Sequence, residues 1–208
     1  MRKIIIFIFG MFLSSKIYSC QFIENKDYNV INNKVEYMPK ITKFFSFLCP
    51  YCYQEEIKFH INDLLQKKMK EKYMINKYHV NFLGNELGKN LTHMWCIAQL
   101  LGIENKILLP MFEGVQKYHT INNKEKIKQL FIKVTGIGEK DYDKLWNSFS
   151  VKMLMEKEEK SLKDTKIQNI PTMVIKGKYI INNYEIKANS INEFIEKYYS
   201  LIKFLIKK

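Results

Sequence analysis

The most informative segment of this sequence is Phe44-Phe45-Ser46-Phe47-Leu48-Cys49-Pro50-Tyr51-Cys52. Its first half has the apolar composition of a buried strand, and the residues after Cys52 are polar and apolar at helical spacing. Pro50 is favoured at the first position of a helix, because it has no N–H group to leave unpaired. We therefore expect Cys49 at the N-cap of a helix and Cys52 within its first turn.

A helix start changes the chemistry of a cysteine. Unpaired backbone N–H groups and the positive end of the helix dipole favour a thiolate over a thiol, so the pKa of Cys49 is expected to be low. The thiolate is the nucleophile of thiol–disulfide exchange, and Cys52 is placed to resolve the mixed disulfide that Cys49 would form. The sequence therefore predicts a redox-active cysteine pair.

The chain begins with a predicted signal peptide, residues 1–19. A basic start precedes an apolar run over residues 4–13, which is typical of a secretory h-region and too short for a permanent membrane span. Cleavage after Ser19 would leave Cys20 first, and acylation of Cys20 is an alternative that the bulky Tyr18 disfavours. Because no later stretch is long and apolar enough to span a membrane, we expect an exported protein without stable membrane insertion.

Composition limits the remaining classes. A chain of 208 residues with 47% hydrophobic content can build one domain, or one domain with a sizeable insertion. Its net charge is +13, of which three charges belong to the leader, which leaves +10 for the mature chain. The lysines are spread over almost every segment without an Arg-aromatic patch, so we expect no nucleic-acid partner.

The order of patterns predicts a strand, helix, strand unit followed by helices. A short edge strand is expected within 27–35, a central strand over 41–47, a helix from Cys49 to about Lys70 and a second strand over 75–82. Such a unit implies parallel strands joined by a right-handed crossover. The next helices are expected over 92–101, 106–118, 124–134 and from 142 to about 163. A hairpin over 172–181 and a helix from the N-cap Ser190 to Ile206 complete the chain.

This order, with C-P-x-C at the first helix and Ile170-Pro171-Thr172 before the hairpin, resembles the thioredoxin superfamily. Further motifs resemble the DsbA family, the periplasmic thiol–disulfide oxidoreductases of Gram-negative bacteria, over essentially the whole mature chain. These motifs are FFSF-x-CP-x-CYQ at 44–54, KYHVNF at 77–82, FEGVQ at 112–116 and LWNSF at 145–149. The resemblance implies an α/β thioredoxin fold with an inserted all-helical domain. Residues 20–82 plus 159–208 would form the thioredoxin-like domain, and residues 83–158 the helical insertion domain.

The family also implies an activity, that of a protein disulfide oxidase without a cofactor. Cys49 carries over as the nucleophile and Cys52 as the resolving cysteine of a redox-active disulfide that is given to unfolded or reduced exported proteins in the periplasm. A DsbB-type quinone-linked membrane oxidase would restore that disulfide. Pro171 carries over as a cis-proline facing it, where the backbone of Ile170 could pair with an extended client. We expect a monomer without a metal site.

Two positions depart from the family pattern, and the first is the dipeptide between the cysteines. It is usually Pro-His and is Pro50-Tyr51 here. Losing an imidazole that can carry positive charge should raise the pKa of Cys49, which makes the protein a milder oxidant.

The second departure is Lys43, at a strand position that usually carries a buried acid. If Lys43 points inward, its charge near Cys49 would stabilise the thiolate, opposite to the effect of Tyr51. Lys43 and Lys77 would then share one pocket, with one of them neutral or reaching outward and Glu56 as the available counter-ion. The sequence does not decide which departure dominates the redox potential.

Other functions stay open at this point. Cys49, Cys52, His93 and Cys96 could supply ligands to a tetrahedral zinc ion, although Pro50 and the helical surroundings of Cys96 favour a packing role for the latter pair. His60 and His79 are also expected to be structural. A milder reductase or isomerase is the alternative within redox chemistry, and a peptide-binding holdase with incidental cysteines is the alternative outside it.

Overall fold

The structure is a computed structural model that describes residues 22–208. The predicted signal peptide, residues 1–19, and Cys20 lie outside the described residues. Five strands form one mixed sheet in the order β1-β5-β4-β2-β3, in which β2 and β3 are parallel and the other neighbours are antiparallel. The strands are β1 Tyr28–Val30, β2 Ile41–Phe45, β3 Asn76–His79, β4 Thr172–Ile175 and β5 Tyr179–Ile181.

Helices make up most of the remaining chain. Within residues 22–208 the α-helices are α1 Pro50–Tyr53, α2 Ile61–Met69, α3 Asn85–Leu101, α4 Glu104–Phe112, α5 Lys124–Thr135, α6 Glu139–Trp146, α7 Phe149–Thr165 and α8 Ile191–Lys207. Two wider π-helical turns, Gln54–Lys58 and Glu113–Lys117, continue α1 and α4. None of the helices in the described part of the chain has the length and apolarity needed to cross a membrane.

The core lies on both sides of β2, in which every residue is buried. One apolar cluster joins the sheet to α2 and α8, for example through Leu65 and Leu201. The other joins it to the helices between β3 and β4, for example through Trp95, Phe112 and Phe131. This is the predicted thioredoxin fold with a helical insertion. The predicted domain boundary between residues 158 and 159 falls within α7 and stays a prediction.

The predicted continuous helix from Cys49 to Lys70 is wrong, because the chain breaks between α1 and α2. The π-helical turn closes when the Phe59 N–H donates to the Gln54 carbonyl at 2.9 Å, and His60 then adopts a left-handed conformation with φ of 50°. Neither Pro nor Gly marks this break, so the sequence pattern predicts one continuous helix across it. The wide turn brings two successive side chains of the helix towards the sheet.

Other boundaries also differ from the predictions. The single helix expected from 142 to about 163 is two helices, since α6 ends at Trp146 and Ser148 begins α7, where its Oγ accepts the Val151 N–H at 3.3 Å. Helix α3 begins earlier than expected, and β2 and β3 are shorter. The predicted N-cap Ser190 is confirmed, because its Oγ accepts the Glu193 N–H at 3.2 Å.

The predicted hairpin between β4 and β5 is also confirmed. Lys176 and Gly177 both have positive φ, 56° and 61°. A Cβ atom on Gly177 would lie 2.2 Å from the Val35 carbonyl oxygen, so only glycine fits this turn. The turn therefore fixes the register in which β5 returns beside β4.

Candidate active site

Cys49 lies between the end of β2 and the start of α1, as predicted. It is the N-cap residue, with φ of −92° and ψ of 117°, and Pro50 occupies the first turn. Its Sγ accepts the Cys52 N–H at 3.4 Å. Cys49 and Cys52 are both free, largely buried thiols in this structure. The backbone N–H groups at the start of α1 therefore point towards the Cys49 sulfur.

The two sulfurs have very different acidities. The hydrogen bond from the Cys52 thiol lowers the pKa of Cys49 to about 7, and the backbone N–H groups of Cys52 and Tyr51 add to this, against the opposing effects of burial and of Glu55. Burial first, and then the hydrogen bond and charge of Cys49, raise the pKa of Cys52 far above that of an ordinary thiol. The sequence predicted the effect of the helix start on the pKa of Cys49 but not the effect of the hydrogen bond from the Cys52 thiol. The geometry makes Cys49 the nucleophile and keeps Cys52 protonated.

The loop before β4 faces this pair. The Ile170–Pro171 peptide bond is cis, as expected. The Cys49 thiol lies 3.6 Å from the Ile170 carbonyl oxygen, and the Pro171 carbonyl accepts the Asn183 side-chain amide at 3.3 Å. The structure thus brings Ile170 and Pro171 together with the cysteine that a client would attack.

Lys43 points inward and remains charged, which corrects the expectation about its counter-ion. It is only 1% exposed, and its ammonium group pairs with Glu55 rather than with Glu56. Burial is the largest single effect and lowers the pKa of Lys43. The charge and hydrogen bond of Glu55, with smaller contributions from Tyr198 and Cys52, together raise that pKa above its usual range. The charge of Lys43 lowers the pKa of Cys52, so this cation acts on the second cysteine.

Lys77 has its own acid. Lys43 and Lys77 are in register on the parallel strands β2 and β3, so both project from the same face of the sheet. Lys77 Nζ lies 3.0 Å from Glu56 Oε2, and Glu56 also accepts the side-chain amide of Asn62. The expectation that Lys43 and Lys77 share one pocket with Glu56 as the available counter-ion is wrong, because the π-helical turn presents Glu55 to Lys43 and Glu56 to Lys77.

His79 and Gln116 hold the backbone just before Cys49, and sequence reasoning gave neither a role at the site. His79 Nε2 accepts the Phe47 N–H at 3.1 Å, while Gln116 donates to the Phe47 carbonyl at 2.8 Å. The other ring nitrogen of His79 lies 2.7 Å from Thr92 Oγ1. Burial lowers the pKa of His79 to about 3, which keeps the imidazole neutral and able to accept. The signals in the sequence were the two family motifs that contain these residues, KYHVNF around His79 and FEGVQ around Gln116.

His93 and Cys96, the other two residues of the alternative zinc site, serve packing. His93 Nε2 lies 2.7 Å from the Trp146 carbonyl, and its ring stacks on Trp146 with centroids 3.7 Å apart. Cys96 is fully buried among apolar side chains, and burial raises its pKa. Residues 22–208 contain no group of three or more side chains arranged to hold a metal ion.

Known proteins resemble this chain in sequence and fold. A family model described as a DSBA-like thioredoxin domain matches residues 40–192. The thiol:disulfide interchange protein DsbA of Buchnera aphidicola subsp. Schizaphis graminum is 41% identical, and that of Escherichia coli strain K12 is 39% identical, each over 100% of both chains. A solved structure of Proteus mirabilis DsbA with the non-covalently bound peptide PWATCDS is 34% identical, covers 90% of this chain and 100% of its own, and superimposes with a TM-score of 0.84. This chain therefore belongs to the DsbA family.

Proposed function

We propose that this protein is a periplasmic disulfide oxidase that transfers a Cys49–Cys52 disulfide to newly exported proteins. As a DsbA family member it is a thiol:disulfide oxidoreductase. The observation that supports the direction of transfer is the low pKa of Cys49, about 7, beside a Cys52 whose pKa is raised. A stable Cys49 thiolate favours the reduced pair, so electrons pass from client thiols to this protein.

The transfer takes place in two exchange steps. A client thiolate attacks Cys49 Sγ, the bond to Cys52 breaks, and the Cys52 sulfur leaves with the electron pair and takes up a proton. The second client thiolate then attacks the client sulfur of the mixed disulfide and expels Cys49 as a thiolate. The client loses two electrons and becomes a disulfide. The ammonium group of Lys43 helps the first step, because it lowers the pKa of Cys52 as the leaving group.

The remaining site residues bind the client or tune the pair. Ile170 and Pro171 would hold an extended client by backbone pairing beside the attacked sulfur, which the distance of 3.6 Å between the Ile170 carbonyl oxygen and Cys49 Sγ supports. Pro50 and Tyr51 would adjust the helix start on one side. Lys43, together with the Lys77–Glu56 pair, would set the charge behind the cysteines.

We further propose the partners of the cycle. The clients are reduced or unfolded exported proteins, and a DsbB-type membrane oxidase returns the two electrons to quinone. The protein acts as a monomer, since one chain supplies both cysteines and the loop that faces them.

The test measures disulfide transfer to a reduced, unfolded test protein that regains activity when its disulfides form. The oxidised wild-type protein should restore activity stoichiometrically, and Cys49→Ser should not. Cys96→Ser is the matched control, because that buried thiol lies outside the pair, and it should act like wild type. A Cys49→Ser variant that still suppresses aggregation while wild type transfers no disulfide would support a holdase instead.

The equilibrium with glutathione separates oxidase from reductase. An oxidase should be found largely reduced even when most glutathione is oxidised. A pair that stays oxidised in reducing glutathione buffers would contradict the proposed direction and favour the reductase alternative.

A further inference from the structure

A small cleft beside the cysteine pair has an unusual lining. It has a volume of about 100 Å³ and is lined by Tyr51, Glu55, Phe59, Pro171 and Tyr184, among others. Pro171 connects it to the loop whose carbonyl contacts Cys49. The cleft is large enough for the end of one side chain, so it can bind the side chain of a single client residue while the client is held at the cis-proline loop.

Three aromatic rings at this cleft are open to solvent. Tyr51 is 62% exposed, Phe59 42% and Tyr184 63%. The chain's own lysines lie over other exposed rings, as Lys117 does over Tyr118 at 4.8 Å. Within residues 22–208 no lysine lies over any of the three cleft rings. Their faces are therefore free to receive a cation from another molecule.

The charge of the cleft is also exceptional for this chain. Lysine and arginine outnumber the acids by 34 to 21 in the sequence, yet no basic residue lines the cleft and its one ionisable acid is Glu55. Lys43 pairs with Glu55 Oε2 from inside the protein, and among the described residues no donor bonds Oε1. Glu55 raises the pKa of both Cys49 and Tyr184, so its negative field reaches the open side of the site.

We infer that this cleft binds a cationic side chain, arginine or lysine, of the client segment next to the cysteine being oxidised. Free aromatic faces and one accessible carboxylate oxygen are the features that recognise a guanidinium or ammonium group. This inference rests on the proposed function. Backbone pairing at the cis-proline loop does not depend on the client sequence, and the cleft would add a preference for clients with a basic residue beside the cysteine.

The experiment compares two dithiol peptides that differ at one residue. One carries arginine and the other its neutral isostere citrulline, placed in turn at each position flanking the cysteine. Each peptide reduces the Cys49–Cys52 disulfide of the oxidised protein and becomes a disulfide itself, and the second-order rate is measured for both. The ratio of the two rates cancels any change in basal activity.

We expect the wild-type protein to oxidise the arginine peptide about fivefold faster at one flanking position, despite the protein's overall positive charge. The ratio should fall to one or below in Glu55→Gln and by about half in Tyr184→Leu. Glu86→Gln is the matched control, since it removes an equal charge from an exposed site outside the cleft, and it should keep the wild-type ratio.

The outcomes separate this inference from the function on which it rests. If neither peptide is oxidised, the proposed oxidase function fails. If both are oxidised at equal rates at every position, or if Glu55→Gln and Tyr184→Leu keep the wild-type ratio, only the cation preference is overturned. Should Glu55→Gln fail to fold with Lys43 left unpaired, Tyr184→Leu and Tyr51→Leu still test it, because neither contacts Lys43.

Discussion

At the scale of single residues, the acidity of Cys49 sets the oxidising power. In a dithiol oxidant the disulfide is weakened to the extent that the released thiolate is stabilised. Each unit of pKa is worth about 1.4 kcal/mol, or about 30 mV of potential. The hydrogen bonds at the helix start lower the pKa of Cys49, and Glu55 and burial limit that effect. The backbone at the helix start therefore favours the Cys49 thiolate, and the residues around the sulfur adjust the value of the redox potential.

Tyr51→His should make the protein a stronger oxidant. An imidazole at this exposed position can carry positive charge beside the sulfur, so we expect the pKa of Cys49 to fall by about one unit and the potential to rise by about 30 mV. The thiolate absorbance of the reduced protein as a function of pH gives the first quantity, and equilibrium with glutathione gives the second. Tyr118→His, an equally exposed tyrosine outside the cleft, should change neither. A higher pKa in Tyr51→His would contradict the prediction.

Removing only Glu55 from the Lys43–Glu55 pair should destabilise the protein much more than replacing both residues. Glu55→Gln leaves a fully buried ammonium group without a carboxylate, which should cost about 3 kcal/mol. Adding Lys43→Met should recover most of that loss, because an apolar side chain then fills the space. Urea unfolding of the single and double variants measures both values.

An exposed ion pair provides the comparison for this prediction. Lys89 and Glu86 are 61% and 79% exposed, and Glu86→Gln should cost less than about 0.5 kcal/mol. If Glu55→Gln costs as little as Glu86→Gln, or if the double variant is no more stable than the single one, Lys43 does not need its partner.

At the scale of secondary-structure elements, the sequence predicts features that one local residue type determines. Pro50 marks the start of α1, Gly177 marks the hairpin turn, and Ser190 marks the start of α8. The break before α2 has no such marker, since the π-helical turn depends on packing against the sheet. The pairing of Lys43 with Glu55 rather than Glu56 was unpredictable for the same reason. It depends on which side chain the wide turn directs at β2.

Local sequence patterns also could not predict the hydrogen bonds that hold the backbone between β2 and Cys49. His79 joins β3 to the Phe47 backbone and to Thr92 on α3, so one imidazole links three segments. His79 lies in the family motif KYHVNF, but no local pattern around it shows that its ring binds the Phe47 backbone. Only the fold places it against the residue two before Cys49.

His79→Gln should reduce the acid sensitivity of the protein. The pKa of His79 is about 3 in the folded state, below that of a free histidine, because burial disfavours its charge. Its contribution to stability is therefore complete above pH 6.5 and is lost as the pH falls towards 3. We expect urea unfolding at pH 7 and pH 4 to show a smaller difference for His79→Gln than for wild type, by about 2–3 kcal/mol. His60→Gln, at an exposed histidine, should behave like wild type.

At the scale of the whole molecule, Glu158 links the helical insertion to the sheet. It lies on α7, is 2% exposed, and accepts the His79 N–H of β3 at 3.2 Å across 79 residues of sequence. Its other oxygen and the side-chain oxygen of Gln99 are buried without a partner among the described residues. A protonated Glu158 carboxyl supplies the donor that two such acceptors need, so the neutral acid suits this position.

Glu158→Gln should therefore protect the protein at alkaline pH. Burial raises the pKa of Glu158 to about 8, against the weaker opposing effects of the Gln99 side-chain amide, the His79 N–H and the charge of Lys157. A raised folded-state pKa gives stability that is complete below about pH 4.5 and is lost as the pH rises through 8, opposite in sign to the effect of His79. Between pH 5 and pH 9 wild type should lose about 3 kcal/mol more than Glu158→Gln, which stays neutral throughout.

The neighbouring Glu159 is exposed and tests whether burial causes this effect. Glu159→Gln should keep the wild-type loss of stability between pH 5 and pH 9, measured by urea unfolding at both values. Because the effects of His79 and Glu158 have opposite signs, their combined contribution to stability is largest between their two pKa values. The two residues meet where Glu158 on α7 accepts the His79 N–H of β3. If Glu158→Gln loses as much stability as wild type on going to pH 9, Glu158 is already ionised in the folded protein and the junction does not depend on its proton.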